Sequence, residues 1–501
     1  MALPAHSGPL TGMGTESLQL PSQPAQPTCP ANLPVKPFLA TLPASMPNSL
    51  GRCATFLICV LSSAFCWADP PSRDQTTGGD RGSASAPRTI AAAGAAKSSA
   101  PQSAVWNEFR GPNGSGVALA DLPSTWSEIE NLAWKTPLPG KGSSSPVVWK
   151  GRIYLTAYTG YGLDFTEPGQ RESLKLHVLC LQLSDGKLLW DCPIDPASAE
   201  QAYGKRVAEH GYASPTPCVD DSGVYAYFGP SGLVALSHQG TLRWRRDLGI
   251  NTTGFGAAAS PILYQNTVIQ NASIESGTMF ALDKATGETV WQNDQIVRSW
   301  TTPSLVTLKD GSEELICNQK DAILGLDPKT GQQLWTCHAI EDYIVPRVVT
   351  HQGLLYCSGG RTNRTFVVRP GGRGEVEASH IVWHQPRGAN VTSPIVVNEH
   401  LFWSHDKSIA LCLRIADGEE VFRERMPTRS RVYGSIVSDG QKLFLTTRDK
   451  GVLVLDASPE YNELALNQLG SEDESFNASP AIANDCLLLR SDRCLYCIKK
   501  P

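Results

Sequence analysis

The sequence predicts an all-β fold: an eight-bladed β-propeller of four-stranded antiparallel blades, closed by an N-terminal strand that joins the last blade. Three observations carry this. A strand–turn–strand stretch at 281–291, Ala-Leu-Asp-Lys-Ala-Thr-Gly-Glu-Thr-Val-Trp, recurs with the same spacing at 325–335 and in looser form at 181–190 and 413–422. Asp283 can bond its own backbone two residues on, and Gly287 supplies a turn position with positive φ. A small residue followed by proline opens most units: Ser145-Pro146, Ser214-Pro215, Ser260-Pro261, Thr302-Pro303, Val345-Pro346, Ser393-Pro394 and Ser479-Pro480, with Gly434-Ser435-Ile436 in the remaining place. After the first interval these markers recur about every 42 to 48 residues, the length of four short strands and their turns. Finally, 132–138 reads as the outer strand of a blade that nothing precedes, and 479–500 supplies three strands of a blade that nothing follows. The two deficits match, and joining them removes two exposed sheet edges.

The N-terminal part is of a different kind. Residues 1–45 are rich in Pro, Ser, Ala and Leu without sustained period and read as a disordered or untranslated leader. Met46 is the better start: Arg52 ends a short basic region, 53–64 is apolar, and Cys66-Trp67-Ala68 places small residues at −3 and −1 before Asp69. Residues 46–68 are therefore expected to be a signal peptide, too short to span a bilayer, which places the mature chain in the periplasm or outside the cell with no transmembrane span. Residues 69–103 read as a flexible linker and 104–501 as the propeller.

Within the propeller, 106–116 (Trp-Asn-Glu-Phe-Arg-Gly-Pro-Asn-Gly-Ser-Gly) is glycine-rich, but no Lys-Ser/Thr pair follows and no βαβ pattern surrounds it. It reads as a strap packing Trp106 and Phe109 onto the ring, not as a phosphate cradle. Blade 1 begins at Ser145, with insertions at 159–173 and 195–210, the second weakly helical; blade 5 carries a Gly-rich insertion at 370–374; blade 7 lacks both proline and terminal aromatic. Trp134, Trp190, Trp244, Trp291, Trp335 and Trp383 fall at equivalent places, each expected to pack on the neighbouring blade with its N–H on a carbonyl.

The Ala-x-Asp-x-x-Thr-Gly-x-x-x-Trp pattern at 281–291 resembles the tryptophan-docking motif of pyrroloquinoline-quinone (PQQ) repeat propellers, and 325–335 matches it with Gly for Ala. That family includes quinoprotein alcohol dehydrogenases and the outer-membrane assembly propeller lipoprotein. Phe109-Arg110-Gly111-Pro112 ahead of such a ring also resembles secreted PQQ-repeat proteins of planctomycete-type bacteria. The resemblance covers roughly residues 106–501 and speaks for the fold; function must come from a site.

The resemblance implies, for an enzyme, a quinone held under a ring of two adjacent bonded cysteines, with Ca²⁺ and an Asp base. No two cysteines are adjacent in this chain, and Cys494-Leu495-Tyr496-Cys497 is followed by Ile498, not the His of haem attachment. Zinc-helix and serine-elbow motifs are missing as well. His380 and His384 flank Trp383 at strand spacing and read as a solvated face before a metal pair. A net charge of −5 is too mild to indicate nucleic acid. The expectation is therefore a non-catalytic scaffold binding an envelope protein or peptide without a cofactor; the alternative is a PQQ- and Ca²⁺-dependent dehydrogenase with a non-standard site. Loops entering the innermost strands should converge at the channel mouth carrying His210, Tyr212, Phe255, Arg298, Trp300, Tyr343, Arg347, Arg387, Arg431 and Tyr433. Arg and aromatic residues are what interface hot spots favour. Last, a two-residue turn at Ser491-Asp492 would set Cys486 opposite Cys497, as a disulfide or as touching thiols, and leave Cys494 buried and free.

Overall fold

The computed structural model describes residues 105–204 and 206–501; the expected leader, signal peptide and linker lie outside the described residues. The described chain forms eight sheets that follow one another in sequence: blade 1 (147–194), blade 2 (218–246), blade 3 (262–293), blade 4 (304–338), blade 5 (349–385), blade 6 (395–425), blade 7 (437–467) and blade 8 (481–498). Blade 8 takes its outermost strand, Leu132–Pro137, from the other end of the chain, with Trp134 opposite Cys497 and Pro137 opposite Cys494. The expected closure is thus present. Middle strands are covered on both faces by neighbouring blades, so Gly223–Tyr227 and Leu233–Leu236 are buried throughout. Outermost strands such as Leu132–Pro137 alternate half-buried with exposed, as strands with one solvated face do.

Tryptophan docking joins the blades. The indole N–H groups of Trp134, Trp190, Trp244, Trp291 and Trp383 donate to the carbonyls of Leu183, His238, Lys284, Pro328 and Ile415, each in the next blade, at 2.9–3.1 Å. Each ring lies on the turn glycine of that blade. At Gly331 (φ +71°) a Cβ would overlap the Trp291 ring, so the glycine supplies both the turn and the flat seat. Trp335 departs from this pattern. It occupies the expected strand position, opposite Gly325 as Trp291 is opposite Ala281. Yet its N–H donates back into its own blade, to Glu314 Oε2 at 2.8 Å. The reason lies in blade 5, whose insertion replaces the docking turn. Residues Gly374–Glu375 add a parallel fifth strand to blade 4, and Gly371 N donates to the same Glu314 oxygen at 3.0 Å. Gly325 is Gly because a Cβ would overlap the folded-back indole. His380 ends a four-residue helix, Glu377–His380, and does not share a strand with His384, so the expected histidine face is not formed.

Around the axis the blades are tied by hydroxyls. The backbone N–H just before one innermost strand donates to the hydroxyl of the same position in the next blade, through Ser145, Thr216, Ser260 and Thr302, and again from Arg347 through Ser393, Ser435 and Ser479 back to Ser145, at 2.8–3.1 Å. The link from Thr302 is missing because blade 5 has Arg347 where a hydroxyl would stand. Two sequence markers therefore shift by two residues: blade 2 is opened by Thr216-Pro217, not Ser214-Pro215, and blade 5 by Arg347, not Val345-Pro346.

The last hairpin also corrects an expectation. Arg490 pairs with Leu495 and Leu488 with Cys497, so the turn is Asp492-Arg493 and Cys486 is not directly opposite Cys497. All ten cysteines of the described residues are free thiols. Cys486 and Cys497 nonetheless lie diagonally on one face, and the neighbouring Cys497 thiol holds the Cys486 pKa down. Cys494 is buried and free.

Candidate functional site

The strap closes one end of the axial channel. Trp106 pairs with Val148, Asn107 O accepts from Val219 N, and Gly116 and Ala118 bond Ser438, so 106–118 crosses from blades 1 and 2 to blade 7 past the inner strands' far ends. Trp106 is fully buried, as expected of a strap. In the middle, Arg347 anchors it: Nη1 donates to Phe109 O at 2.6 Å, Nη2 to Glu108 Oε1 at 3.0 Å and Nε to Ser304 Oγ at 3.1 Å. Arg110 is buried beside it, and burial together with the Arg347 charge pushes its pKa down to about 9. Arg347 is thus part of the channel's floor and not of its mouth.

Above the strap a cavity of about 750 Å³ opens away from it, with Phe109 at its base and the hydroxyl ring on its walls. One wall of the mouth is aromatic. Phe255, Trp300 and Tyr343 pack edge-on or tilted with centroids 5.8–6.0 Å apart. Trp300 Nε1 donates to Gly256 O at 2.9 Å and Tyr343 OH to Asn390 Oδ1 at 3.0 Å, which fixes both rings. The Arg206 guanidinium lies 4.1 Å from the Phe255 centroid, within cation–π range.

The rim beside Phe255 is built by the 195–211 insertion, which carries the 3₁₀ turn Val207–Glu209. Four tyrosines, Tyr158, Tyr161, Tyr203 and Tyr212, glue it to blade 1; Tyr203 N donates to Tyr161 Oη at 2.9 Å and Tyr212 OH to Gln201 O at 2.8 Å. The insertion carries Glu209 to Arg431 Nη1 at 3.3 Å and to Arg448 Nη1, while Asn477 Nδ2 donates to Glu209 O at 2.6 Å. Arg431 Nη1 also meets Tyr433 Oη at 3.3 Å, and Arg448 lies over the Tyr433 ring. His210 bonds Ser214 Oγ through Nδ1 at 2.7 Å, and burial pushes its pKa down.

Of the residues expected at the mouth, His210, Phe255, Trp300, Tyr343, Arg431 and Tyr433 line this one cavity. Tyr212 belongs to the tyrosine cluster behind it. Arg298 is exposed and outside the lining, and Arg387 pairs with Glu420 at 2.9 Å away from the channel. Sequence reasoning missed Glu209, Arg206 and Arg448. The first two sit in an insertion that the repeat period cannot place, and Arg448 follows the second strand of its blade, outside the loops that enter the innermost strands.

The carboxylates at the cavity are Glu209, held by the two arginines, and Asp406, 2.6 Å from His405 Nδ1. Among the described residues no three His, Cys, Asp or Glu side chains are grouped to hold a metal ion, and no cysteine lines the cavity. No helix there is long and apolar enough to cross a membrane.

The family model described as outer membrane protein assembly factor BamB matches residues 174–424, half of the chain. Among solved structures, BamB from Moraxella catarrhalis is 14% identical over 73% of this chain and 97% of its own, with a TM-score of 0.49. The computationally designed Ika8 protein is 11% identical over 73% and 99%, with a TM-score of 0.50. Quinohemoprotein alcohol dehydrogenase from Comamonas testosteroni is 11% identical over 79% and 81%, at 0.48. No curated protein matches the sequence. Identities this low bear on the fold alone, and the family match rests on the sequence model: the chain belongs to the BamB-like PQQ-repeat β-propeller family.

Proposed function

We propose that the protein is an exported, non-catalytic scaffold that binds an envelope protein or peptide at the open mouth of its axial cavity. The observation that carries this is the mouth itself: a cavity floored by the strap and lined by rigid aromatic rings together with arginines. Fixed aromatic and Arg side chains are the usual anchors of protein interfaces. The family model's description, an outer-membrane assembly factor, is in keeping with that role.

A metal-held quinone does not fit this lining. Glu209 is already engaged by two arginines, and the adjacent cysteines that would cover the quinone ring are absent from the whole chain.

The reading is tested by site-specific photocrosslinking. A photoreactive amino acid at Tyr433 is compared, in envelope extract, with one at the outlying Arg387. The Tyr433 probe should give a discrete crosslinked partner that Trp300→Ala abolishes; identical adducts at both positions, or adducts indifferent to Trp300→Ala, would overturn it.

A further inference from the structure

Glu209 occupies its arginine pair in an unusual way. Its main chain is held by bonds that do not involve the carboxylate: Asn477 grips its carbonyl, and Tyr161, Ser231 and the Tyr212 hydroxyl hold the insertion at Tyr203, Ala197 and Gln201. The carboxylate therefore adds little to the insertion's own structure. The outer ion pair is also open to water: the Arg431 side chain remains 62% exposed while paired and Glu209 36%, whereas Arg448 is 23% exposed. An exposed pair such as Glu209–Arg431 contributes little and exchanges readily. Around them the same cavity is lined by Arg206, Lys407 and Arg429, against the single further carboxylate of Asp406. The mouth thus keeps a cationic excess next to an aromatic wall.

We propose that Glu209 is a built-in stand-in for the ligand's own carboxylate, and that the site takes a peptide carrying a carboxylate beside an aromatic residue. This rests on the mouth being the binding surface. The incoming carboxylate displaces Glu209 from Arg431 and Arg448, and the neighbouring side chain packs on Phe255, Trp300 and Tyr343. The insertion stays in place and only the Glu209 side chain swings out. Such internal competition lowers apparent affinity by the fraction of time the arginines are occupied. A side-chain carboxylate and a chain-terminal carboxylate share this chemistry.

Isothermal titration calorimetry on the full-length protein separates them. The probes are the N-acetylated hexapeptide amide Gly-Ser-Phe-Glu-Gly-Ser, its Gln counterpart, and Gly-Ser-Gly-Ser-Glu-Phe with Gln for Glu, as free acid and as amide. At least one carboxylate probe should bind, its neutral counterpart should not, and which pair differs identifies the source. Glu209→Gln should tighten binding about three- to tenfold, the range expected when exposed ion pairs are removed as competitors. Arg431→Ala with Arg448→Ala should weaken it more than about tenfold. Melting temperatures of all variants confirm folding, and Arg387→Ala should bind as wild type does. Neutral probes binding as well as acidic ones, or Glu209→Gln leaving affinity unchanged, would overturn the inference. So would failure of every acidic probe on wild type and Glu209→Gln alike. In each of these cases a crosslink from Tyr433 that depends on Trp300 still stands for the mouth as a binding surface, and its loss alone removes both.

Discussion

Replacing Trp291 and Trp335 separately by Phe distinguishes the two kinds of tryptophan seat. Both indoles are buried, so the loss of ring volume is similar, and the difference lies in what the N–H leaves behind. Trp291→Phe removes a donor from the Pro328 carbonyl, a neutral acceptor, at a net cost of about 0.5–1.5 kcal/mol beyond repacking. Trp335→Phe removes a donor from the Glu314 carboxylate, whose side chain is 2% exposed, and hydrogen bonds to charged groups contribute about 1.5–3 kcal/mol. Trp335→Phe should therefore be the more destabilising by roughly 1–2 kcal/mol. Urea unfolding followed by circular dichroism reads this as a lower midpoint at unchanged m. A double-mutant cycle isolates the cause: in a Glu314→Gln background the excess cost of Trp335→Phe should largely vanish. Equal losses in the two single variants, or an excess that survives Glu314→Gln, would refute the assignment of the charged seat.

Three further outcomes follow from the packing. Burial raises the carboxyl pKa of Glu200 and of Glu275 to about 7, from 4.5 in the unfolded chain. Their neutral forms thus favour the fold fully below about pH 4.5, and that contribution, roughly 3 kcal/mol each, is lost as pH rises to about 7. Unfolding midpoints of Glu200→Gln and Glu275→Gln should show a flatter decline across that window, and an unchanged slope would contradict it. Arg347→Ser should complete the hydroxyl ring yet release the strap, at about 3–5 kcal/mol for leaving Glu108 without its partner; trypsin should then cut after Arg110 faster than in wild type, and equal cutting would place the strap's anchorage elsewhere. Deleting Leu132–Pro137 should expose the edge of Cys494–Ile498 and drive self-association on size exclusion, whereas a monomer with unchanged melting would disprove the closure.

How much of the fold and the mouth is legible in the sequence depends on periodicity. The docking motif, the unit length and the closing strand follow from spacing, because each blade must solve the same packing problem. Where one blade solves it differently, spacing misleads. Ser214-Pro215-Thr216-Pro217 offers two equally good openings, and only the bonds Ser145 N to Thr216 and Thr216 N to Ser260 decide between them. Arg347 resembles a mouth residue because Pro346 imitates the marker, but the guanidinium turns to the strap. Trp335 keeps its place in sequence while its seat on the next blade is taken by an insertion. The Cys486 register fails by one turn position, since Ser491 and Cys494 pair across Asp492-Arg493 through N–H to O at 3.0 Å. Glu209 carries no motif; its meaning comes from arginines 222 and 239 residues away.

The shared last blade has a consequence in time. Apart from the fifth strand that blade 4 takes from the blade 5 insertion, blades 1 to 7 are contiguous stretches of chain that can pair as soon as they emerge, but Leu132–Pro137 must wait for Cys494–Ile498, about 360 residues later in the chain. Until then Leu132–Pro137 has no partner and the ring stays an open arc. Loop-closure entropy grows only slowly with length, so the long span adds little to the equilibrium cost, and what it sets is the order of events. A premature stop before residue 494 would leave a chain with nearly every blade made and two edges open to another molecule.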